Sequence, residues 1–416
     1  MAMFVDTYKF TCVERFLKYV KYDTESNPDS TTYPSTERQK VLLKELAEEL
    51  KTMGLGDAQM DEWGYVTATL PSNVSKNVPI IAFIAHVDTS PQVSGANVKP
   101  AVTKNYKGGD IRLENGLVIG AKENPALKDK IGYDIITTDG RTLLGADDKA
   151  GIAEIMDAVN YLVSHPGVKH GTIKVCFTPD EEIGKGTEKL DVKKLGARFG
   201  YTIDSGGIGE IKTETFNADG VTVKFHGMSA HPGYAKGHMV NSIKAAAAFI
   251  DGLPKGTLAP EAVDEREGFV HCLSVNGNEE LTTLKLIVRD FERKKLKEYE
   301  EILKTLAGCA VNQLPGSSFD FEVHEQYRNL KEVLDKHPEV TEYALEAMRR
   351  LGMDPKVGYT RGGTDGSRLS FIGVPTPNLF DGSYNIHSPL EWIAVQDMEL
   401  AVKTIIELAR VWEERS

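Results

Sequence analysis

Four short runs of apolar and β-branched residues place the strongest constraint on how this chain folds. Between the second and third of them lies AGIAEIMDAVNYLV (150–163), a segment with helical spacing that is apolar on nearly all sides. Strands that stay apolar throughout are buried on both faces, and strands that alternate with helices form largely parallel sheets. We therefore predict an α/β fold, with helices on both faces of a mixed, largely parallel sheet. The runs are YVTATL (65–70), PIIAFIAHVD (79–88), TIKVCFTP (172–179) and FGYTID (199–204).

A change of pattern near residue 212 indicates a second domain. From there, GVTVKFHG and TTLKLIVRDF alternate as amphipathic strands do, and RKKLKEYEEILKTLAGCAV has the spacing of an amphipathic helix. After residue 328 the chain returns to helices that suit the first layer. We predict an α+β domain at 212–328, inserted into a domain formed by 1–211 and 329–416.

The composition argues against several classes of partner. The 416 residues include 49 Lys and Arg against 61 Asp and Glu, a formal charge of −12, without basic clusters. Such a chain is poorly suited to bind nucleic acids or anionic membranes. Its four cysteines are far apart, which argues against a disulfide framework, and no apolar run approaches the ~20 residues of a spanning helix. The first ten residues lack a signal-peptide pattern. We therefore expect a cytoplasmic protein with no membrane partner.

Histidine and carboxylate residues cluster where the predicted strands end and where the helix begins. Each cluster alone has an ordinary explanation, as a solvated strand end, a helix cap, a surface pair or a turn. Together they bring ligands to the carboxyl edge of one sheet, where open α/β sheets bind small molecules. A set of His, Asp and Glu without Cys suits divalent zinc, cobalt or manganese. The clusters are His86 with Asp88, Asp147 with Asp148, Glu181 with Glu182, and Asp204.

Six motifs follow one another along the chain: HVDTS, LLGADDKAG, TPDEEIGKG, DSGG, RGGTDG and NIHSP. With these motifs, the chain resembles the zinc metallopeptidase family that includes carboxypeptidase G, carnosine dipeptidases and peptidase T. The motifs are most similar to the peptidase T subgroup, the tripeptide aminopeptidases, and RGGTDG supports that subgroup. The resemblance extends over nearly the whole chain. It implies a di-zinc exopeptidase fold and a hydrolase with two zinc ions per subunit, for which cobalt or manganese could substitute.

The resemblance also implies a role for each site residue. Asp88 would orient His86, and Glu181 would be the general base that takes a proton from the attacking water and returns it to the leaving amine. The neighbouring Asp180 has no implied role, and we expect it to face solvent. The first zinc would be bound by His86, Asp147 and Asp204, and the second by Asp147, Glu182 and His387.

A histidine of the inserted domain completes the implied mechanism. His231, in SAHPG, would donate a hydrogen bond to the tetrahedral oxyanion. From the residues alone, a surface histidine beside a Pro-Gly turn is the favoured interpretation, and the resemblance reverses that preference. In several relatives this histidine reaches into the site of the other subunit, so a homodimer is one expectation. Similarity to the peptidase T subgroup implies instead that the inserted domain acts as a lid on the catalytic domain of its own chain.

Substrate binding is predicted from charge. An exopeptidase must pair the terminal charges of its peptide, and the guanidinium groups of Arg289 and Arg361 can bind a C-terminal carboxylate at two points. Arg289 is otherwise an ordinary strand residue with its charge outward. Asn217 could bind the peptide backbone or amine. Two alternatives remain: a dipeptidase or N-acyl amino acid deacylase on the same scaffold, and a non-catalytic binding protein.

Overall fold

The computed structural model describes residues 8–416. Residues 1–7, part of the stretch from which we argued against a signal peptide, lie outside the described residues. Among the described residues, no helix is both long enough and apolar enough to cross a bilayer. The helices are α1 (Cys12–Tyr19), α2 (Gln39–Thr52), α3 (Ala146–Ser164), α4 (Val192–Leu195), α5 (Ser242–Asp251), α6 (Arg293–Asn312), α7 (Lys331–Leu334), α8 (Pro338–Arg350), α9 (Asp365–Phe371) and α10 (Val395–Arg415).

The strands belong to several sheets, and the chain folds into two compact units. The first unit comprises the chain up to Thr213 with Leu330–Tyr359 and Thr364–Ser416, and the second comprises Glu214–Asn329 with Thr360–Gly363. The strands are β1 (Gln59–Met60), β2 (Val66–Leu70), β3 (Ile81–His86), β4 (Ala101–Thr103), β5 (Ile111–Arg112), β6 (Val118–Ile119), β7 (Ile135–Thr137), β8 (Ile173–Thr178), β9 (Phe199–Ile203), β10 (Glu210–Thr215), β11 (Asn217–His226), β12 (Phe269–Gly277), β13 (Leu281–Asp290), β14 (Ser318–Tyr327), β15 (Lys356–Thr360), β16 (Asn378–Leu379), β17 (Ser383–Tyr384) and β18 (Trp392–Ala394).

An eight-stranded sheet forms the centre of the first unit, in the order β1-β2-β8-β3-β9-β16-β10-β15. Its central strands β8, β3, β9 and β16 run parallel. The prediction of a mixed, largely parallel sheet is therefore confirmed. The first predicted run forms β2, which is antiparallel to β8 and alternates buried with half-exposed residues. That alternation is typical of an antiparallel strand with one wetter face.

Helices cover both faces of this sheet, as the apolar character of β3 predicts. Phe83 and Ala85 point into the larger core, which also contains residues of α1, α3 and α10. Ala82 and Ile84 point the other way and pack with Leu195 of α4 and with residues of α9. Because β3, β8 and β9 are parallel, their carboxyl ends lie at one edge of the sheet, and the residues that follow them meet there.

Residues 95–135, for which the sequence pattern predicts no structure, contribute to small sheets of the first unit. Strands β17, β18, β7 and β4 form an antiparallel sheet, and β5 pairs with β6. A separate core of Ile119, Leu127 and Trp392 packs against them. These strands are two or three residues long, too short for a periodic pattern to identify them.

The second unit is an antiparallel sheet in the order β12-β13-β11-β14, with α5 and α6 on one face. Val223, Phe249, Leu286 and Leu303 are all completely or almost completely buried in its core. The segments with amphipathic alternation form β11 and β13. The sequence did not predict β12, since its second half is exposed and its register with β13 shifts near Cys272.

Candidate metal centre

The predicted ligands come together at the carboxyl edge of the central sheet. His86 is the last residue of β3, Asp204 directly follows β9, and Asp147 stands in the first turn of α3. Glu181 and Glu182 begin a short 3₁₀ turn, Glu181–Ile183, after β8. His86, Asp204 and the two glutamates meet because β3, β9 and β8 are parallel neighbours. Asp147 instead reaches the same place from the start of α3.

Asp147 lies between two imidazoles from distant parts of the chain. Its Oδ1 is 2.9 Å from Nε2 of His86, and its Oδ2 is 3.1 Å from Nε2 of His387. The same His387 nitrogen is 2.9 Å from Oε1 of Glu182. Asp147 thus uses one oxygen towards each side, which is the geometry that a carboxylate needs in order to bridge two cations.

Two groups of candidate ligand atoms meet the spacing of metal sites among the described residues. The atoms of each group lie within 4.8 Å of one another, and one group is His86, Asp147 and Glu182. The other is His86, Asp148 and Asp204. Asp148, to which no role had been assigned, also accepts a hydrogen bond from the His86 backbone N–H at 3.0 Å. The sequence signal for it was its position beside Asp147, which a helix cap explains equally well.

Burial and shared charge shift the protonation of this cluster. Burial opposes a charged imidazole at His86, but hydrogen bonds to Asp147 and Asp88 raise the pKa of His86 well above its ordinary value. Against its burial, Asp147 and Glu182 raise the pKa of His387 to about 11. Burial, then the charge of Asp147, raises the pKa of Glu182 to about 7. Two imidazoles are thus shared among several carboxylates, and a divalent cation would relieve the remaining repulsion. The residues present therefore fit a metal site.

Asp88 contacts more than the histidine it was predicted to orient. Its carboxylate oxygens accept the backbone N–H groups of Glu181 at 2.9 Å and Glu182 at 3.1 Å. Its Oδ1 is 3.4 Å from Nδ1 of His86, whose nearer neighbour is the Asp88 carbonyl oxygen at 3.1 Å. One completely buried carboxylate therefore holds both His86 and the turn that carries the two glutamates.

Glu391 is a buried residue that the sequence analysis missed. It accepts the backbone N–H groups of Leu144 at 2.6 Å, Gly145 at 2.8 Å and Asp147 at 3.1 Å. These bonds fix the loop that presents Asp147. Glu391 comes shortly after His387, so one stretch of chain supplies both a candidate ligand and the support of another.

The prediction that Asp180 faces solvent is wrong. Its side chain is completely buried and accepts hydrogen bonds from the N–H and Oγ of Ser35, both at 2.5 Å, and from Nε2 of Gln39 at 2.7 Å. Helix α2 begins at Gln39 with Arg38 as its N-cap residue, so Ser35 lies before the helix and its hydroxyl is bonded to Asp180. Three adjacent acidic residues are typical of a solvated turn, and the sequence around Asp180 does not show which distant segment covers it.

His231 lies in the second unit and is exposed. Its Nδ1 accepts the backbone N–H of Gly233 at 3.1 Å, and its ring lies 5.3 Å from that of Tyr234. Because Nδ1 acts as an acceptor, a neutral His231 carries its proton on Nε2, where it can donate to another group.

The other substrate candidates also lie in the second unit. Arg289 donates to the carbonyl oxygen of Val288 at 3.1 Å and to Gln326 Oε1 at 2.8 Å, and it stacks over the ring of Tyr327. Among the described residues, no carboxylate forms an ion pair with it. Burial lowers the pKa of Arg289, and the charge of Asp219 only partly offsets that effect. The guanidinium is therefore partly dehydrated, and the hydrogen-bond acceptors named above are neutral.

Arg361 and Asn217 are bonded within the second unit. The guanidinium of Arg361 donates to the carbonyl oxygen of Glu265 at 3.1 Å and lies over the rings of Phe216 and Phe269. The amide of Asn217 is completely buried, donates to Phe291 O at 2.9 Å and accepts from Asn329 N at 3.1 Å. We therefore retain the two arginines as substrate candidates and leave Asn217 out.

Comparison with known proteins identifies the family. The model of Peptidase family M20/M25/M40 matches residues 137–411. The chain belongs to this family. Peptidase T of Caldanaerobacter subterraneus subsp. tengcongensis is 48% identical over 402 residues, covering 96% of this chain and 98% of that protein.

Solved structures agree with the family. The aminopeptidase PepT from Bacillus cereus has a TM-score of 0.73 at 25% identity, covering 97% of this chain and 98% of that chain. The YXEP protein of Bacillus subtilis, described as a dinuclear metal binding peptidase from the M20 family, has a TM-score of 0.62 at 15% identity. It covers 96% of this chain and 97% of that chain, and at this identity the likeness concerns the fold alone. The resemblance read from the motifs and the expectation of a peptidase are confirmed.

Proposed function

We propose that this chain is a metal-dependent aminopeptidase that removes the N-terminal residue from tripeptides. Membership of the M20/M25/M40 peptidases and similarity to Peptidase T over nearly the whole chain support this activity. The observation that carries the proposal is the position of Asp147, with one carboxylate oxygen near His86 and the other near His387.

We propose zinc as the metal, with two ions per chain. A nitrogen and carboxylate donor set without thiolates suits zinc, and also cobalt or manganese. Bound there, such ions would polarise the substrate carbonyl and make a water molecule more acidic. The proposed ligands are His86, Asp147 and Asp204 for one ion and Asp147, Glu182 and His387 for the other.

The two glutamates differ in a way that supports different roles. The carboxylate of Glu182 pairs with His387, whereas that of Glu181 accepts no side-chain or backbone hydrogen bond from the described residues. Burial, with a contribution from the charge of Asp204, raises the pKa of Glu181 well above its ordinary value. A carboxylate without a protein partner and with a raised pKa is suited to take a proton from water and return it to the leaving amine.

Binding of the C-terminal carboxylate at a fixed distance from the metal site would select peptides by length. We propose that Arg289 binds the C-terminal carboxylate, since its guanidinium is partly dehydrated and forms no ion pair with a carboxylate of the described residues. Arg361 is the second candidate. His231 would donate through Nε2 to the oxyanion. The action of the second unit as a lid and the formation of a homodimer stay predictions.

The described cysteines are all unpaired, and we propose the cytoplasm as the compartment.

A dipeptidase or an N-acyl amino acid deacylase would use the same ligands, so substrate specificity decides between these activities. The test is hydrolysis of free dipeptides, tripeptides, tetrapeptides and an N-acetylated tripeptide, with zinc and with chelator. We expect tripeptides with a free amine to be cleaved best and chelator to stop the reaction. Equal cleavage of acetylated or longer peptides would favour the deacylase.

A further inference from the structure

The stretch from Tyr22 to Gln39, here called the N-terminal strap, touches three of the segments that carry candidate ligands: those of Asp147, of His86 and of Glu182. The completely buried Lys149, which follows Asp147 in the chain, donates from Nζ to the carbonyl oxygen of Tyr22 at 2.9 Å. Further along the strap, the Ser26 N–H donates to the carbonyl oxygen of Thr89 at 3.1 Å. Both contacts join the strap to the loops that present Asp147 and His86.

The third contact is the most extensive and is made to the turn before the two glutamates. Asp180 accepts from Ser35 N–H and Oγ, both at 2.5 Å, and from Gln39 Nε2 at 2.7 Å. The backbone N–H of Asp180 donates to Gln39 Oε1 at 3.1 Å. Gln39 therefore binds Asp180 at two points, and both residues are completely buried.

Asp180 also has a backbone conformation that needs support. Its φ of 59° lies in the left-handed region, which non-glycine residues adopt at a cost, although Asp tolerates it better than most. The turn that follows holds Glu181, whose carboxylate is bonded to no described protein group. The direction of the Glu181 side chain is thus set by its backbone, which Asp88 holds on one side and Asp180 on the other.

We propose that Ser35 and Gln39 are positioning residues for the general base, acting through Asp180 on the orientation of Glu181. The proposal rests on the assignment of Glu181 as the base. Neither residue touches a candidate ligand, so their removal should change the rate of the proton-transfer step without emptying the metal site.

The first measurement is kinetic. Gln39→Leu removes both hydrogen bonds between Gln39 and Asp180 and keeps a similar side-chain volume. Ser35→Ala removes only the bond from the Ser35 hydroxyl to Asp180, and it serves as the test variant if Gln39→Leu does not fold. A misplacement of about 1 Å can lower a catalytic rate about 10²-fold, so we expect Gln39→Leu to lower kcat by about 10- to 100-fold with KM nearly unchanged. Metal content should equal that of the wild type. Ser35→Thr, which keeps the hydroxyl, should restore most of the rate lost in Ser35→Ala.

A matched control lies in the same strap. Thr32 donates from Oγ1 to the carbonyl oxygens of Pro34 at 3.0 Å and Ser35 at 3.5 Å, and among the described residues no hydrogen bond joins it to the turn that holds Glu181. Thr32→Ala should leave kcat within about twofold of the wild type. A loss of rate in Thr32→Ala as large as in Ser35→Ala would show that general loosening of the strap, and not the Asp180 contact, lowers activity, and would overturn the proposal.

The deciding experiment measures the effect of Gln39→Leu in a protein that already carries Glu181→Gln and so lacks the general base. If Gln39 acts through Glu181, then Gln39→Leu should lower the residual kcat of Glu181→Gln by less than about twofold, because the effects of one acting unit do not add. An equal fold loss in both backgrounds would overturn the positioning role. The wild type is assayed with the best peptide of the substrate panel. A wild type that cleaves no peptide would contradict the proposed function, whereas an active wild type with additive losses would contradict only this inference.

Discussion

Nε2 of His387 lies 2.9 Å from Oε1 of Glu182, and the two residues are 205 positions apart in the chain, in separate segments of the first unit. The contact brings the NIHSP motif to the turn after β8, where Asp147 also approaches His387. We predict that His387→Ala binds about half the metal of the wild type and is nearly inactive. Metal content is measured on the purified protein by elemental analysis.

A second histidine–carboxylate pair provides the control for this prediction. His226 lies 2.8 Å from Asp320 on the exposed sheet of the second unit, outside the ligand cluster. His226→Ala should retain the metal content and rate of the wild type. Full metal occupancy and a normal rate in His387→Ala would contradict its assignment as a ligand.

The adjacent glutamates should respond differently to the same substitution. Glu181→Gln keeps the size of the side chain but removes its basicity, so we expect kcat to fall by about 10²–10⁴ while metal content is kept. Glu182→Gln should lose metal as well as rate, because its carboxylate faces His387 and Asp147. Rates and metal content are compared at equal protein concentration. If both variants lose the same amount of metal, the two roles have been assigned wrongly.

Where the argument depended on local geometry, the sequence predicted which residues meet at the carboxyl edge of the sheet. His86 and Asp204 were expected together since parallel neighbouring strands share an edge, and that expectation required only the apolar runs before them. Contacts between distant segments left no local signal. Asp180 is buried by Ser35 and Gln39, and nothing in TPDEEIGKG indicates which part of the chain will cover it. A buried anchor of this kind follows from tertiary packing, which one sequence does not specify by pattern alone.

The same limit applies to Glu391 and to the position of His387. The three backbone N–H groups that Glu391 accepts belong to a loop more than 240 positions earlier in the chain, so the sequence around Glu391 gives no signal of the contact. His387 was assigned by resemblance, since its distance along the chain from the other ligands hides the contact. Strand β12 was missed for a different reason: its outer half faces solvent and lacks apolar alternation.

His170 should make the stability of the apo protein depend on pH. It is 2% exposed, with Nδ1 2.8 Å from the carbonyl oxygen of Gly171, and burial lowers its pKa. The unfolded chain then binds the proton more readily, so the free energy of unfolding falls as pH drops below the unfolded value of about 6.5. Urea midpoints between pH 8 and pH 5, measured with chelator, should fall less in His170→Gln than in the wild type. A parallel fall in both proteins would contradict the prediction.

His231 should act on the rate more than on substrate binding. Its Nδ1 is occupied by the N–H of Gly233, which leaves Nε2 as the donor. A donor to an oxyanion acts mainly in the transition state, and its loss typically lowers kcat by about 10²–10³. His231→Ala is compared with His238→Ala, an exposed histidine of the same segment, by steady-state kinetics on a tripeptide. A change confined to KM would make His231 a substrate-binding residue.

The guanidinium groups of the two candidate arginines contact different kinds of group, and this difference predicts which of them binds the peptide carboxylate. Within the part of the chain that the structure describes, Arg289 is hydrogen-bonded to neutral groups and forms no ion pair, whereas Arg361 is stacked on Phe216 and Phe269. Removing one partner of a buried charge pair commonly costs about 2–5 kcal/mol. Wild type should therefore prefer a free tripeptide to its C-terminal amide by tens-fold or more, and Arg289→Met should lose that preference.

Arg361→Met is the matched comparison, because it makes the same change of side chain as Arg289→Met and lies in the same unit. We expect it to keep the preference for the free carboxylate and to lower the free energy of unfolding by about 1 kcal/mol, the usual worth of a partly exposed cation–π contact. The measurement is the ratio of kcat/KM for the tripeptide and its amide in each variant. Each added residue lengthens an extended peptide by about 3.3–3.6 Å, so Arg289→Met should also discriminate less between tripeptides and tetrapeptides. Should Arg361→Met lose the preference while Arg289→Met keeps it, the carboxylate is bound by Arg361, and the stacking on Phe216 and Phe269 serves to aim that guanidinium at the substrate.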